Sequence, residues 1–99
     1  MRLLMNVELS QEQNKFYTMI SSYPRISIFW DWQICEIDFY LWERDKDTLS
    51  IGEKALAQFF ISVWTKNSKW EFDFTEAGLF LGKEERQLIA NWILEPFWP

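Results

Sequence analysis

The sequence contains no histidine and only one cysteine, Cys35. Without histidine, the chain cannot form Ser-His or Cys-His nucleophile pairs, a histidine general base or most zinc sites. A lone cysteine cannot form an intramolecular disulfide or a cluster of thiolate ligands. Its position on the apolar side of a predicted strand indicates a buried, inert thiol. These absences predict a protein without metal or other cofactors that is not an enzyme.

Glycine and long apolar runs are also scarce. Gly52, Gly78 and Gly82 are the only glycines, and their spacing forms neither a dinucleotide-binding motif nor a phosphate-binding P-loop. The apolar start at residues 3–5 is interrupted by Asn6, which is too short a run for a signal peptide or a membrane span. Together with the lone cysteine, this pattern predicts a cytoplasmic protein.

Catalysis by carboxylates alone, with or without magnesium, is the enzymatic alternative that remains open. Glu36 and Asp38 would lie on one side of a strand, and Glu71 and Asp73 would do the same. Alternating acids usually mark the wet face of a half-buried strand. Neither pair has a Lys or Arg directly beside it to hold a phosphate. The pattern therefore favours a structural explanation for both pairs.

Aromatic residues, in contrast, are abundant. Seven Trp and nine Phe occur in 99 residues, so large rings must fill much of the core. With 48% hydrophobic and 25% charged residues, the chain has enough apolar material to fold. No Pro/Gly/Ser linker or break in composition divides it, which predicts a single domain over residues 1–99.

The net charge of −5 is concentrated in one segment. Residues 31–47 contain only two basic residues, Arg44 and Lys46, against six acids: Asp31, Glu36, Asp38, Glu43, Asp45 and Asp47. Binding to a phosphate backbone requires clustered Lys and Arg, so direct nucleic-acid binding is disfavoured. The charge pattern instead favours a protein partner with a basic surface.

Three segments have the apolar period of a helix. Ser10 and Gln13 form a predicted capping box, and the helix that follows should end before Pro24. Ser50 and Glu53 form a second box, which predicts a helix over residues 51–66. The last helix should begin near Lys83 and end before Pro96. Its inward face should consist of Leu88, Ile89, Trp92 and Ile93. Phe97 and Trp98 should fold back onto the domain, because burial of large rings is favourable.

Two alternating segments, 26–32 and 35–41, predict strands. If Trp30 pairs with Ile37, the apolar residues of both segments fall on one face of a hairpin. The turn between them lacks the Asn-Gly or Asp-Gly chemistry of tight hairpins. A helix that begins at Asp31 is the alternative.

The remaining segments are predicted from short signals. Residues 43–48 should form a charged loop, residues 70–74 should be extended, and Thr75 should cap a short turn that ends near Gly82. The fold class is therefore α+β: a β-hairpin or small antiparallel sheet packed against three helices.

Trp32, Trp42 and Trp70 are the tryptophans best placed for exposure, and exposed Trp is enriched at binding hot spots. Two of them lie in the acidic segment. We therefore predict a partner-binding surface formed by Trp32, Glu36, Asp38, Trp42, Glu43, Asp45 and Asp47. The alternative surface is Trp70 with Phe97 and Trp98.

The second half of the chain resembles small uncharacterised proteins carried by phages and plasmids. The segment ALAQFFISVW, residues 55–64, resembles their aromatic-rich helix, and Phe72-Asp-Phe-Thr75 resembles the turn that follows it. The resemblance covers residues 52–99 and includes no catalytic signature. It implies a phage or plasmid as the genomic context and no particular activity.

These observations predict a small acidic protein-binding module. Short, acidic proteins without catalytic groups include phage or mobile-element inhibitors of host defence proteins, such as anti-CRISPR proteins, and toxin-immunity proteins. One alternative is a structural or accessory protein that acts as a homodimer. The other is the carboxylate- or magnesium-dependent enzyme.

Overall fold

Helices make up most of the structure, a computed structural model that describes residues 8–99. The apolar start at residues 3–5 lies outside the described residues. The helices are α1 (Gln11–Ile20), α2 (Pro24–Ser27), α3 (Phe39–Asp45), α4 (Ile51–Thr65), α5 (Phe74–Phe80) and α6 (Lys83–Leu94). Two short strands, β1 (Trp30–Asp31) and β2 (Glu36–Ile37), form an antiparallel pair. Lys46–Thr48 and Ser68–Trp70 form single 3-10 turns.

Two capping boxes set the starts of α1 and α4, as predicted. Ser10 Oγ accepts a hydrogen bond from the backbone N–H of Gln13 at 3.0 Å, and Gln13 Oε1 accepts one from the N–H of Ser10 at 3.0 Å. Ser50 and Glu53 repeat the arrangement at 3.1 and 2.9 Å. Each box satisfies two backbone donors that a helix start leaves free.

Two further helices begin at aspartates that the sequence analysis did not identify as caps. Asp38 Oδ1 accepts from Leu41 N at 3.0 Å to start α3, and Asp73 Oδ1 accepts from Glu76 N at 3.0 Å to start α5. The prediction that Thr75 is the cap is therefore wrong. Asp38 and Asp73 therefore cap helices and do not lie in strands. The predicted arrangement, in which Glu36 with Asp38 and Glu71 with Asp73 share one side of a strand, is not present among residues 8–99.

The hairpin has the predicted register but is much shorter than predicted. Trp30 lies opposite Ile37, and Asp31 lies opposite Glu36. The alternative helix from Asp31 is wrong. The first strand cannot extend further back, because Pro24 begins the helical turn α2, where its fixed φ fits the first helical position. Consequently Ile28 is 63% exposed, whereas its neighbour Phe29 is only 2% exposed.

The other local predictions fail in part. The predicted loop over 43–48 is helical, because α3 continues to Asp45 and a 3-10 turn follows it directly. The predicted extended segment over 70–74 instead begins in a 3-10 turn, and the backbone turns at Glu71, whose φ is 64°. The chain from 8 to 99 is mostly helical with a small antiparallel sheet, which is compatible with α+β. Packing against three helices is not confirmed, since residues 8–99 form six helices.

The core is built around α4. Ala57, Phe60 and Ile61 are completely buried in it, and Phe16 and Ile20 of α1 are equally buried. The rings of Phe16 and Phe60 meet edge to face, with centroids 5.6 Å apart. Full burial of side chains of this size stabilises a fold by about 1.5–3 kcal/mol each. The aromatic residues therefore act mainly as core.

Helix α6 packs against α4 through the contact of Trp92 with Phe59. It begins at Lys83 and ends before Pro96, as predicted. Ile89 is buried and Trp92 packs on the core, but Ile93 is 46% exposed, so its predicted inward position is wrong. Phe97 folds back onto the core, and Trp98 packs on Trp92 while 46% of its surface stays exposed.

Candidate partner-binding surface

The acidic segment 31–47 runs through the hairpin, α3 and the 3-10 turn that follows α3. Its first half consists of the hairpin and the start of α3, which carry Asp31, Glu36 and Asp38. Its second half consists of the end of α3 and the 3-10 turn after it, which carry Glu43, Asp45 and Asp47. The two halves differ in how their charges are balanced.

In the second half, each acid is paired with a base. Arg44 donates from Nε and Nη2 to both carboxylate oxygens of Asp45, each at 2.9 Å. Lys46 Nζ lies 3.0 Å from Glu43 Oε1, and Lys54 Nζ lies 2.8 Å from Asp47 Oδ1. These pairs are largely exposed, so each contributes little to stability. They do neutralise much of the charge that the segment presents to a partner.

The direction of the pKa shifts agrees with this pairing. The hydrogen bond from Arg44 lowers the pKa of Asp45, and the hydrogen bond from Lys54 lowers the pKa of Asp47. The hydrogen bond to Glu43 raises the pKa of Lys46. These directions favour the charged forms of Asp45, Asp47 and Lys46.

In the first half, like charges face each other. Asp31 and Glu36 are directly opposite in the hairpin, and both side chains are exposed. Like charges at directly opposed positions of an antiparallel pair are destabilising. Asp38, also exposed, follows one residue after the end of β2. Within residues 8–99, no Lys or Arg forms an ion pair with any of these three acids.

Exposed apolar residues lie beside these three acids. Ile34 in the turn is 61% exposed, Phe39 at the start of α3 is 41% exposed, and Tyr40 is 77% exposed. A shallow depression of about 260 Å³ is lined by Asp31, Ile34, Glu36, Ile37, Asp38 and Phe39. We call the group Asp31, Ile34, Glu36, Asp38, Phe39 and Tyr40 the hairpin surface.

The apolar part of the hairpin surface continues onto Trp70. The rings of Phe39 and Trp70 are stacked, with centroids 5.0 Å apart and an interplanar angle of 11°. Lys69 Nζ lies 5.0 Å from the centre of the Trp70 ring. Trp70 is half-buried, so the expectation of an exposed ring is met only in part. The Trp70 ring packs against one face of the Phe39 ring.

The two tryptophans predicted as anchors lie elsewhere. Trp42 is only 3% exposed and meets Phe29 edge to face at 5.3 Å, so the expectation that its ring is exposed is wrong. Trp32 is half-buried against α1 and α4, with Tyr17 at 4.9 Å and Trp64 at 5.7 Å between ring centroids. Both rings belong to packing inside the domain. The alternating pattern over residues 35–41 could not show that Trp42 is buried, because α3 begins within this segment at Phe39.

Ile34, Phe39 and Tyr40 were missed by the sequence analysis. Phe39 was assigned to the apolar face of the strand predicted over 35–41, and that strand ends at Ile37. Ile34 was assigned to the turn between the two predicted strands. A usable signal was present: Asp38 followed three and four residues later by Leu41 and Trp42 has the spacing of a helix start.

Cys35 occupies the hairpin turn. Its φ is 52°, in the left-handed region, and its Sγ donates to the carbonyl of Trp32 at 3.7 Å. Partial burial raises the pKa of the thiol. The side chain is half-buried rather than fully buried. Fewer thiolates are therefore present at neutral pH than in an ordinary cysteine, which disfavours reaction as a nucleophile.

Within the described residues, no three Asp, Glu or Cys side chains are grouped closely enough to hold a metal ion. None of the helices between residues 8 and 99 is both long enough and apolar enough to cross a membrane.

Residues 8–99 form a mostly helical fold with a small hairpin that presents three acids beside exposed apolar side chains. No protein-family model, curated protein or solved structure matches it.

Proposed function

We propose that the protein is a small acidic binding module that uses its hairpin surface to bind a basic patch on another protein. The observation that carries this proposal is the opposed pair Asp31 and Glu36, two exposed acids with which no Lys or Arg among residues 8–99 forms an ion pair. Like charges at opposed positions repel each other. A Lys or Arg from a partner would relieve this repulsion. Complementary charge of this kind accelerates association and excludes partners of the wrong sign.

The apolar side chains of the same surface supply the second requirement of an interface. Protein interfaces commonly have an apolar centre and a polar rim. Tyr40, which is 77% exposed, has the size and the polar hydroxyl typical of a hot-spot residue. We infer that Tyr40, Phe39 and Ile34 form the contact centre and that the three acids form its rim.

We place the module among inhibitors encoded by phages or other mobile elements, of the anti-CRISPR or toxin-immunity kind. This placement is supported by the acidic hairpin surface together with the resemblance of residues 52–99 to small phage and plasmid proteins. Such proteins act by occupying a surface that the target uses for another purpose. A basic target surface is expected, since the module's unpaired charge is negative.

A pair of matched variants tests the proposal. Asp31→Lys with Glu36→Lys reverses the unpaired acids, whereas Glu43→Lys with Asp45→Lys makes the same change in net charge among acids that are already paired. A tagged copy of the unchanged protein and of each variant is used to retain proteins from the native host. The association and dissociation rates of the retained partner are then measured for each form. The hairpin variant should associate at least about tenfold more slowly and with a weaker salt dependence.

The control variant should slow association by a smaller factor than the hairpin variant, because its substitutions lie outside the hairpin surface. Loss of binding in the control but not in the hairpin variant would return the site to residues 43–47. Tyr40→Ala should mainly speed dissociation, at a cost of about 2 kcal/mol or more. Leu79→Ala, at a residue of α5 that is 71% exposed, is its control. A partner that binds all five forms equally excludes the hairpin surface.

A further inference from the structure

The depression in the hairpin surface is smaller than an ordinary small-molecule site. Its volume is about 260 Å³, whereas ligand pockets usually measure about 300–1,000 Å³. Its lining combines three carboxylates with three apolar side chains: Asp31, Ile34, Glu36, Ile37, Asp38 and Phe39. A space of this size and composition suits one long cationic side chain rather than a whole cofactor or metabolite.

The carboxylates of the depression keep oxygen atoms that are free to accept hydrogen bonds. Asp31 Oδ1 accepts from the N–H of Gln33 at 3.0 Å, and Asp38 Oδ1 accepts from the N–H of Leu41 at 3.0 Å. Within residues 8–99, the second oxygen of each aspartate and the carboxylate of Glu36 accept no hydrogen bond. All three side chains are exposed. Donors of a partner can therefore reach these oxygens.

No base among residues 8–99 forms an ion pair with these three acids. Arg44 lies within range of the charge of Asp38, but its Nε and Nη2 both donate to Asp45. A metal ion is not favoured either, since no three acids of the described residues are grouped closely enough to hold one. The charge of the depression therefore favours a cationic group supplied by a partner.

One wall of the depression is an aromatic ring. Phe39 is 41% exposed, and Trp70 stacks on one face of its ring at an interplanar angle of 11°. Trp70 does not line the depression, so the part of the Phe39 ring that lines it is not the part that Trp70 covers. The stack also holds the Phe39 ring in one orientation. A cation can pack on such a ring through cation–π attraction.

Arginine matches this combination of groups better than lysine does. The guanidinium is planar and weakly hydrated, stacks on aromatic rings and donates two parallel hydrogen bonds to a carboxylate. The ammonium of lysine is a compact, strongly hydrated charge, so it gains less from an adjacent ring. The methylene groups of arginine can also pack on apolar surface, which Ile34, 61% exposed, provides here.

We propose that the depression receives one arginine side chain of the partner, an inference that rests on the proposed function. The guanidinium would stack on Phe39 and donate to Asp31 and Glu36, and its methylene groups would pack on Ile34. One arginine would thus relieve the repulsion between the two opposed acids. The basic patch of the partner is then recognised by arginine and not by positive charge alone.

The test compares three acetylated and amidated tripeptides with alanine at both ends and arginine, lysine or citrulline in the middle. Citrulline has the shape of arginine without its charge. Binding is followed by NMR at low salt, where the backbone N–H signals of Ile34, Glu36 and Phe39 should shift. The Kd of the arginine peptide should be on the order of 10 mM or tighter. The lysine peptide should bind about threefold more weakly, and the citrulline peptide about tenfold more weakly.

Two variants and a control assign the roles within the depression. Phe39→Leu keeps an apolar side chain but removes the ring, so it should abolish the preference for arginine over lysine. Glu36→Gln, at an exposed side chain, should weaken binding of the arginine peptide about threefold or more, and it still tests the site if Phe39→Leu does not fold. The control Glu43→Gln should weaken binding by less, because Glu43 pairs with Lys46 outside the depression.

The outcomes distinguish failure of the arginine assignment from failure of the proposed function. Equal affinity for the arginine and lysine peptides, or a preference that survives in Phe39→Leu, overturns the assignment but still leaves a basic partner. Citrulline that binds as tightly as arginine, or shifts confined to residues outside the hairpin surface, overturns both. No binding of the arginine peptide up to about 50 mM, which corresponds to a binding free energy of under about 2 kcal/mol, overturns the assignment.

Discussion

The indole of Trp92 in α6 meets the ring of Phe59 in α4 edge to face, with ring centroids 5.6 Å apart. The same indole donates its Nε1 hydrogen to the carbonyl of Phe97 at 3.0 Å. One side chain thus links the central helix, the last helix and the segment after it. The position of α6 therefore depends strongly on Trp92.

A substitution of Trp92 should lower the free energy of unfolding more when it removes more of the contacts of this side chain. Trp92→Ala deletes the ring contact and the hydrogen bond, and should lower the free energy of unfolding by about 3 kcal/mol, the lower end for large aromatic residues because Trp92 is only half-buried. Trp92→Phe keeps a ring but loses the hydrogen bond, and should cost about 1–2 kcal/mol. Urea denaturation measures both. Leu94→Ala, at a neighbour that is 77% exposed, should cost under about 0.5 kcal/mol.

Trp42 should behave as a core residue and not as a binding anchor. Its ring is 3% exposed and packs edge to face on Phe29 at 5.3 Å. Trp42→Ala should therefore lower the free energy of unfolding by about 3–5 kcal/mol. The control is Tyr40→Ala, two residues earlier and 77% exposed, which should change stability by under about 1 kcal/mol. Equal stability of the two variants would show that the indole does not occupy the core.

The capped helices show what local sequence predicts well. Ser10 with Gln13 and Ser50 with Glu53 form their hydrogen bonds within four consecutive residues, so no tertiary information is needed to recognise them. The apolar stripe after Ser50 then specifies the buried face of α4. Residues 51–66 were predicted as helical, and α4 spans Ile51–Thr65.

The segment from Pro24 to Asp45 shows why the rest could not be predicted. Its alternation of apolar and polar residues is typical of a strand, yet Pro24 and Asp38 each begin a helix. Both residues are ordinary helix starts, but aromatic residues dominate the pattern around them. Trp30 and Ile37 were paired correctly because their alternation holds on both sides of the turn.

The candidate site was predictable only as a region of charge. The sequence shows six acids over residues 31–47 but not which of them are paired, since the Lys54–Asp47 pair joins residues seven positions apart across a change of element. Exposure of Tyr40 and burial of Trp42 follow from the direction of α3. That direction depends on packing against Phe29, which lies beyond any local pattern.

Asp38 combines a structural and an electrostatic role, and two substitutions should separate them. Asp38→Ala removes the cap of α3, where Oδ1 accepts from Leu41 N at 3.0 Å, and should lower the free energy of unfolding by about 1 kcal/mol. Asp38→Asn keeps a capping oxygen but removes the charge, so stability should change by only a few tenths of a kcal/mol. Urea denaturation distinguishes them. If Asn costs as much as Ala, the charge rather than the cap stabilises α3.

Tyr23 should make stability depend on pH above about pH 10. Its hydroxyl donates to Glu85 Oε2 at 3.2 Å. Burial, with a further contribution from the charge of Glu85, raises the pKa of Tyr23 to about 12. In the unfolded chain the pKa is about 10. Between these values the folded state holds a proton that the unfolded state has lost, so the free energy of unfolding falls as pH rises.

The control for this prediction is a second tyrosine substitution. Unfolding by urea between about pH 9 and pH 12 should show a smaller loss of stability in Tyr23→Phe than in the unchanged protein, because phenylalanine has no proton to lose. Tyr40→Phe alters a side chain that is 77% exposed, and it should keep the full loss. Glu85→Gln should lower the pKa of Tyr23, because the charge and the acceptor that favour the neutral phenol are weakened. An identical pH dependence in Tyr23→Phe and the unchanged protein would mean that the Tyr23 proton is not linked to folding.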